Sequence, residues 1–437
     1  MPGQYPRKQG IDGMAKMIEP GVWTQVPSPF CGIAADDLKI RVADDGRLEI
    51  VENGDSITRA GFEQPLGDAR PRVGGKPASL EEAVTRAAEI LKKAELPLVA
   101  GLATDVNGMR AALSLADRLG AVVDTMNAGA ALRNLLVQQD AGWMTTTLSE
   151  VKNRADLIVV AGVDLEARFP RFFERHVWVD GMFVEAKERD IVYLGKTPSG
   201  KAAVSPDGRE PRAMACEDAD LPAVTAVLRA LVKGERVATE KVGGIAVSEL
   251  AALADRLKNA RYGVIAWAAG ALDWAHAELT VQTLCETIKE LNHTTRCSGL
   301  PLGGMEGDQT ATQVCGWQTG YPLRLRFSRG CPEYDPYLND GERLLAEEQA
   351  DALLWVSAYN PQRTPPVAEV PTIAVGRGGM TFEREPEVFI PVGCPGIDHA
   401  GHTYRTDNVV AVRLARLRDT DLPATARVLG EIEQALI

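Results

Sequence analysis

The chain has 437 residues, and because single hydrophobic cores stop growing at about 250–300 residues, this length predicts two or three domains. Its hydrophobic content of 45% is that of a globular protein, and its formal net charge of −12 argues against a nucleic-acid binder, which needs a basic face. No apolar run approaches the roughly 18 residues of a membrane-spanning helix. Residues 1–19 lack the apolar core of a signal peptide, so we expect a cytoplasmic protein with no membrane partner.

The first informative stretch is 27–37, which reads Pro-Ser-Pro-Phe-Cys-Gly-Ile-Ala-Ala-Asp-Asp. It is similar to the cluster motif C-P-F-C-G-x-x-C-D-D, with Cys31 retained and with Ser28 and Ala35 in place of the other two cysteines. A [4Fe–4S] cluster is held by four cysteine thiolates. The stretch therefore indicates the architecture of a metalloprotein together with the loss of its metal. Taken alone, it also fits a Pro/Gly turn with a chance cysteine.

Strand and helix patterns follow in turn. Residues 38–51 predict a β-hairpin, and residues 64–78, rich in Pro and Gly, predict a connector. Ser79 begins a helix with a capping box, since a glutamate lies three positions on. We expect Asn107 to cap the next helix, which ends at Gly120.

Short apolar strands then alternate with helical patterns to the end of the chain. The predicted strands are 97–101, 121–124, 157–161, 191–194, 262–267, 353–356, 372–375 and 388–391, and the later helices are 220–233, 245–258 and 274–291. Apolar strands alternating with helices are typical of parallel sheets covered on both faces, so we predict a doubly wound α/β protein. The Gly-, Pro- and aromatic-rich segment 299–338 is predicted to be an ordered loop.

The cysteines and histidines suggest no metal site by themselves. The seven cysteines are scattered and odd in number, and none forms a C-x-x-C pair, which favours reduced and mostly buried thiols. His399 and His402 have H-x-x-H spacing but no visible third ligand, so we expect a structural role. The glycine-rich segment 299–307 lacks the Gly-Lys-Ser/Thr ending of a phosphate loop.

Several stretches together resemble one family. They are the motif at 28–37, the run Leu148–Asp156, the pair Pro170-Arg171, the segments Gly316–Pro322 and Phe327–Gly330, and the C-terminal run Gly396–Asp407. In this order they are similar to the B subunit of formylmethanofuran dehydrogenase, a chain of the molybdopterin oxidoreductase superfamily. The resemblance implies two doubly wound Rossmann-like α/β domains and a small N-terminal β-rich domain that formerly held a cluster. The implied domains are 1–75, then 76–130 together with 260–437, and an inserted domain at 131–259.

The resemblance also implies ligands that this sequence lacks. The family's metal-ligating cysteine or selenocysteine falls in the loop 103–108, where Asn107 is the best match, and a neutral amide is a poor ligand for a soft metal. The fourth cluster cysteine falls near Asp55 or Ser56. Two further family segments, Cys-His-Gly-Pro and Met-Arg-Gly-His-Tyr-Asn, fall on 127–133 and 302–308 without their cysteine and histidines.

These matched losses predict a fold kept without its redox chemistry. Ser28, Cys31 and Ala35 are then former cluster positions, and Asn107 is a former metal-ligand position. We expect no catalytic residue, no bound metal and no cofactor in this chain. Cys31 is either a reactive thiol or a packed remnant, and we favour the remnant because no cationic group accompanies it in sequence.

A retained scaffold with lost ligands resembles the B subunits of the formyltransferase/hydrolase complexes of methylotrophic bacteria. The resemblance implies a complex that converts formyl-tetrahydromethanopterin to formate through a formyl-methanofuran-type carrier in one-carbon oxidation. The implied partners are an amidohydrolase-like hydrolase subunit, a formyltransferase subunit and a scaffold subunit. Two alternatives stay open: an active molybdopterin or tungstopterin formylmethanofuran dehydrogenase, and a metal-free binding module for a carrier tail or for formate passage.

Overall fold

A computed structural model provides the structure of the chain and describes residues 14–65 and 67–437. Most of the N-terminal stretch on which the prediction of no signal peptide rests, residues 1–13, lies outside the described residues. Within the described part of the chain, no helix is both long enough and apolar enough to cross a membrane.

Helices occur along the whole described chain. The α-helices are α1 (Ser56–Phe62), α2 (Leu80–Lys93), α3 (Val106–Leu119), α4 (Ala128–Ala141), α5 (Leu148–Arg154), α6 (Leu165–Arg168), α7 (Leu221–Val232), α8 (Val247–Asn259), α9 (Ala277–Leu291), α10 (Asp308–Thr319), α11 (Gly341–Ala346) and α12 (Thr425–Ala435). Short turns of 3-10 helix lie at Ala186–Glu188, Asp218–Asp220 and Ala269–Ala271, and a π-helical turn lies at Phe173–Val177.

The strands are short, and many of them are buried throughout. They are β1 (Lys16–Glu19), β2 (Val22–Val26), β3 (Leu38–Val42), β4 (Leu48–Glu52), β5 (Arg72–Val73), β6 (Lys76–Pro77), β7 (Pro97–Ala103), β8 (Val122–Val123), β9 (Leu157–Ala161), β10 (Asp190–Gly195), β11 (Arg212–Ala215), β12 (Lys241–Val242), β13 (Ile245–Ala246), β14 (Gly263–Ala268), β15 (Cys297–Leu302), β16 (Leu325–Arg326), β17 (Glu333–Tyr334), β18 (Ala352–Ser357), β19 (Thr372–Arg377), β20 (Val388–Val392), β21 (Gly401–Tyr404) and β22 (Ala411–Leu414).

Local capping chemistry fixes the ends of the early helices. The capping box of α2 is confirmed, because the Ser79 hydroxyl accepts from Glu82 N at 3.1 Å while the Glu82 carboxylate accepts from Ser79 N at 2.8 Å. Gly120 ends α3 as predicted, in the left-handed conformation at φ +66°. The prediction that Asn107 caps α3 is wrong. Asp105 is the cap instead, because its carboxylate accepts from Gly108 N at 3.1 Å.

One compact unit of the described chain consists of residues 14–65, 67–125, 310–404 and 411–437. Its nine-stranded sheet has the order β17-β16-β8-β7-β18-β19-β20-β5-β6, parallel from β8 to β20 and antiparallel toward both edges. The helices α2, α3 and α12 share a hydrophobic core with these strands. A separate antiparallel sheet runs β1-β2-β3-β4, and it contains the predicted hairpin.

The second compact unit consists of residues 126–309 and 405–410. Its five-stranded sheet is parallel throughout, in the order β11-β10-β9-β14-β15. The helices α7, α8 and α9 bury their apolar faces in a second core with these strands. Because parallel strands buried on both faces read as continuous apolar runs, β9, β10 and β14 were predicted from the sequence, whereas the edge strands β11 and β15 were not.

A mixed α/β fold with several sheets is therefore confirmed, with two differences of detail. Segment 299–338 is not the predicted loop, since it contains the end of β15, all of α10, and β16 and β17. Segment 260–309, which we assigned to the same domain as the C-terminal half, lies in the second unit, because β14 pairs in parallel with β9. The division into three domains remains a prediction.

Candidate functional site

The loop at 28–35, which the sequence predicts to be a former cluster site, is closed by its own hydrogen bonds. Ser28 Oγ accepts from Phe30 N at 3.2 Å and from Cys31 N at 3.4 Å, and Ser28 N donates to Ala35 O at 2.8 Å. Cys31 Sγ accepts from Ala35 N at 3.3 Å. Ser28, Cys31 and Ala35 are all buried. The structure thus brings the three predicted positions together, with local backbone donors where a cluster would need three thiolates.

Packing around Phe30 holds this loop in place. The Phe30 ring meets Phe62 edge-on with centroids 5.0 Å apart, and it meets Tyr359 edge-on at 6.1 Å. A side chain on Gly61 would place its Cβ 2.2 Å from the Phe30 ring, so this close approach requires glycine. The predicted fourth cluster position, near Asp55 or Ser56, has no thiol either. The Asp55 carboxylate instead caps α1, where it accepts from Ile57 N at 2.9 Å and from Thr58 N at 2.8 Å.

A buried arginine that sequence reasoning missed ties this loop to the large sheet. Arg377 lies at the end of β19, and its guanidinium donates to Gly61 O at 2.9 Å and to Tyr359 O at 2.8 Å. It also lies 5.9 Å from the centroid of the Phe30 ring. Its partners are 316 and 18 positions away in sequence, so no local pattern marked it.

Asn107, the predicted former metal-ligand position, is solvent-exposed. Asn107 is the second residue of α3, and its side chain makes no hydrogen bond within the described part of the chain. The preceding backbone is unusual, because Gly101 and Leu102 both have positive φ, at +79° and +63°. Left-handed backbone at a leucine is strained and is sustained only by its surroundings, which is common near functional sites. The predicted position therefore carries an exposed neutral amide next to strained backbone.

The two altered segments at 127–133 and 302–308 meet in the second unit. Asn127 Nδ2 donates to Asp308 Oδ2 at 2.6 Å. Arg133 donates to Ala269 O at 2.8 Å and pairs with Asp273 at 3.0 Å. These contacts lie near the carboxyl ends of β14 and β15, the edge at which parallel α/β sheets bind ligands.

Two of the motif runs that carry the family resemblance also meet there. Asp407 Oδ2 accepts from Leu148 N at the start of α5 at 2.9 Å, and the same carboxylate forms a bidentate pair with Arg405 at 2.9 and 2.6 Å. The neighbouring Thr406 hydroxyl accepts from Gly303 N at 2.9 Å. The C-terminal run therefore binds the start of α5 and the end of β15 through hydrogen bonds. This role is structural.

His176 is the most strongly perturbed histidine of the described residues. It is buried, and neither of its ring nitrogens has a hydrogen-bond partner there. Burial lowers its pKa to about 3, and the cations Arg175 and Arg405 lower it further than Asp407 restores. The imidazole is therefore neutral near neutral pH.

The remaining histidine and cysteine candidates behave as structural groups. His399 Nε2 contacts Gly393 O at 3.2 Å, while His402 is exposed on β21. Among the described residues no group of three or more His, Cys, Asp or Glu could hold a metal ion. Burial raises the pKa of three thiols to about 12, which keeps them protonated: Cys285, Cys297 and Cys315.

The donor set accordingly does not fit a tungsten or molybdenum centre or a [4Fe–4S] cluster. Such groups need several thiolates, whereas only Cys31 among the corresponding positions is a cysteine, and the others carry serine, alanine, aspartate or serine, and an exposed asparagine amide. We therefore derive no chemistry through such a group.

Comparison with known proteins finds relatives over most of the chain. No family model matches the sequence. The chain is 32% identical over 377 residues to the B subunit of the formyltransferase/hydrolase complex Fhc of Methylorubrum extorquens, with 84% of this chain and 97% of that protein covered. It is 28% identical over 404 residues to the B subunit of tungsten-containing formylmethanofuran dehydrogenase 2 of Methanocaldococcus jannaschii, with 88% and 91% covered.

A solved structure gives the same result. The fold matches a chain in the crystal structure of the formyltransferase/hydrolase complex (FhcABCD) from Methylorubrum extorquens in complex with methylofuran, with a TM-score of 0.71 and 29% identity. The match covers 84% of this chain and 98% of that one. The resemblance drawn from the sequence motifs is thereby confirmed, and this chain belongs to the family of the B subunits of formyltransferase/hydrolase complexes.

Proposed function

We propose that this chain is a non-catalytic structural subunit of a formyltransferase/hydrolase complex. In such a complex formyl-tetrahydromethanopterin is converted to formate through a formyl-methanofuran-type carrier. Its partners are then the amidohydrolase-like hydrolase, formyltransferase and scaffold subunits. Membership of the family and the hetero-complex of the structural relative support the partnership.

The observation that carries the non-catalytic role is the closed loop at 28–35. Ser28 and Cys31 accept backbone N–H groups, and Ala35 has no ligand atom, so the loop is complete without a cluster. Under this proposal Ser28, Cys31 and Ala35 are former cluster positions, and Asn107 is a former metal-ligand position. The finer architecture we propose is two doubly wound Rossmann-like domains and a small former cluster domain. A cytoplasmic location stays a prediction.

Elemental analysis of the purified complex tests the proposal. With a tag on the hydrolase subunit, we expect this chain to co-purify in a fixed ratio, with iron, molybdenum and tungsten each far below one atom per chain. One cluster or one tungsten per chain would contradict the non-catalytic role. Recovery of the chain only as a free monomer would contradict the structural role.

The alternative of an active oxidoreductase is favoured by one finding, the similarity to tungsten-containing enzymes over most of the chain. It predicts formate-dependent reduction of a dye by the purified complex. We expect none, because the residues that should hold the metal have no thiolate. The alternative of a metal-free binding module is supported by the guanidinium of Arg168, whose buried Nε has no hydrogen-bond partner among the described residues.

A further inference from the structure

Arg168 lies at the edge of the second unit where its parallel strands end. It is the last residue of α6, which follows β9 after a short loop. Asp164 caps that helix through bonds of 3.0 Å to Glu166 N and 3.4 Å to Ala167 N. The backbone that carries Arg168 is therefore fixed, and its side chain lies where α/β sheets place their ligands.

The guanidinium of Arg168 has no hydrogen-bond or ion-pair partner among the described residues, and its Nε is completely buried. The side chain is half-buried, and this burial lowers its pKa, which Asp308 partly offsets. An arginine keeps its charge in proteins, so it cannot avoid the cost of a half-buried, unpartnered charge by losing a proton. Its donors need an acceptor that the described side chains and carbonyls do not supply.

The groups around it are either small or already engaged. Asp308, the carboxylate that acts on Arg168, is already engaged by the Asn127 amide at 2.6 Å. Beside the guanidinium lies Gly270, where a Cβ would come within 2.9 Å of Arg168 Nη2. The Ala130 Cβ would then be 3.5 Å from that added atom. Small residues therefore border the cation on this side.

We propose that Arg168 anchors a binding site for a small monocarboxylate at this edge. The planar fork of a guanidinium matches a carboxylate with two parallel N–H···O bonds. A phosphate dianion fits less well, because it would carry twice the charge toward Asp308. The site rests on the contacts of Arg168 alone, whereas the choice of formate as the probe rests on the proposed function.

Isothermal titration of the full chain with sodium formate, against a sodium chloride blank, tests the site. Wild type should show saturable binding, and Arg168→Gln should raise the Kd by about tenfold or more, the effect expected when a charge-assisted hydrogen bond is lost. Arg154→Gln is the matched control. Its guanidinium is exposed and already paired with Glu150 at 2.6 Å, so we expect the wild-type Kd.

A second variant tests whether binding depends on the position of the guanidinium and not only on its charge. Gly270→Ala keeps Arg168 but puts a methyl group 2.9 Å from its Nη2, which is closer than van der Waals contact, so the guanidinium must shift and formate binding must weaken. Because Gly270 does not have positive φ and the displaced atoms end a flexible side chain, we expect the fold to persist. Circular dichroism of each variant checks this.

Several outcomes would overturn the proposal. They are absence of saturable formate binding to wild type, an unchanged Kd in both Arg168→Gln and Gly270→Ala, and phosphate binding tighter than formate in a parallel titration. None of these results bears on the metal content or co-purification of the complex. A failure of this site is therefore distinguishable from a failure of the proposed function.

Discussion

The loop at 28–35 and the edge at Arg168 both hold polar groups away from bulk solvent, and they differ in whether those groups have partners. In the loop the polar atoms at the former ligand positions have local partners: Ser28 Oγ accepts two N–H groups and Cys31 Sγ accepts one. At the edge, the Arg168 guanidinium has no partner among the described residues. Polar groups of this chain are therefore either satisfied by their neighbours, as in the loop, or left available to a ligand, as at Arg168.

The comparison predicts opposite effects on stability. Removing a polar group from the sealed loop should leave buried partners unsatisfied and destabilise the fold. Removing the charge at Arg168 should leave nothing unsatisfied among the described residues.

Arg377→Ala should lower the free energy of unfolding most. The substitution leaves two buried carbonyls, Gly61 O and Tyr359 O, without this donor, at about 1–3 kcal/mol each, so we expect a loss of about 3 kcal/mol. Denaturant titration measures it. Arg384→Ala is the control, because that arginine is about half exposed and pairs with Glu369 on the surface. Equal losses in the two variants would contradict a sealing role for Arg377.

His176 shows how a buried basic group without a partner can instead become neutral. Its folded-state pKa of about 3 lies below the ordinary value of 6.5, so its contribution to stability is present above about pH 6.5 and is lost as the pH falls toward 3. At about 1.4 kcal/mol per pH unit, moving from about pH 7.5 to about pH 5 should cost about 2 kcal/mol.

The variant His176→Phe should remove this part of the acid sensitivity. The unfolding midpoint in urea at the two pH values measures the effect, and the exposed His293→Gln serves as the control. If wild type and His176→Phe lose the same stability between these pH values, the histidine does not stay neutral in the folded chain.

Ser28→Ala should destabilise by about 1 kcal/mol, because the buried N–H groups of Phe30 and Cys31 lose an acceptor at 3.2 and 3.4 Å. Ser28→Cys, which keeps a weaker acceptor of similar shape, should lose less. Thermal unfolding compares the two. If Ser28→Ala left the stability unchanged, the loop would be held by the packing of Phe30 alone.

Arg168→Gln should change the free energy of unfolding least, within about 0.5 kcal/mol, the range of substitutions that break no native contact. The same variant is expected to lose formate binding, so one substitution separates binding from stability. A stability loss similar to that of Arg377→Ala would mean that Arg168 is a structural cation. It would contradict the difference between the satisfied loop and the unpartnered guanidinium.

Much of the fold could be predicted from short-range signals. The capping box of Ser79 and Glu82, the left-handed Gly120 and the apolar runs of β7, β9 and β14 act within a few residues, so sequence alone contains them. The prediction for segment 299–338 was wrong because it relied on the glycine, proline and aromatic content. Composition does not show the periodic spacing of apolar residues that distinguishes helices and strands from loops. The cap of α3 was misplaced by two residues, since Asp105 and Asn107 are both good caps.

By itself, the sequence determined which ligands are missing, because a thiolate that is not encoded cannot be supplied by folding. It also determined the family, through motifs spread along the chain. Only the tertiary structure decided what those positions became. The partners of Arg377 and of Asn127 lie up to 316 and 181 positions away, and the state of Arg168 depends on what surrounds it. Local hydrogen bonds and the distant contacts of Arg377 together close the loop at 28–35, whereas the state of Arg168 depends on distant contacts that no local pattern records.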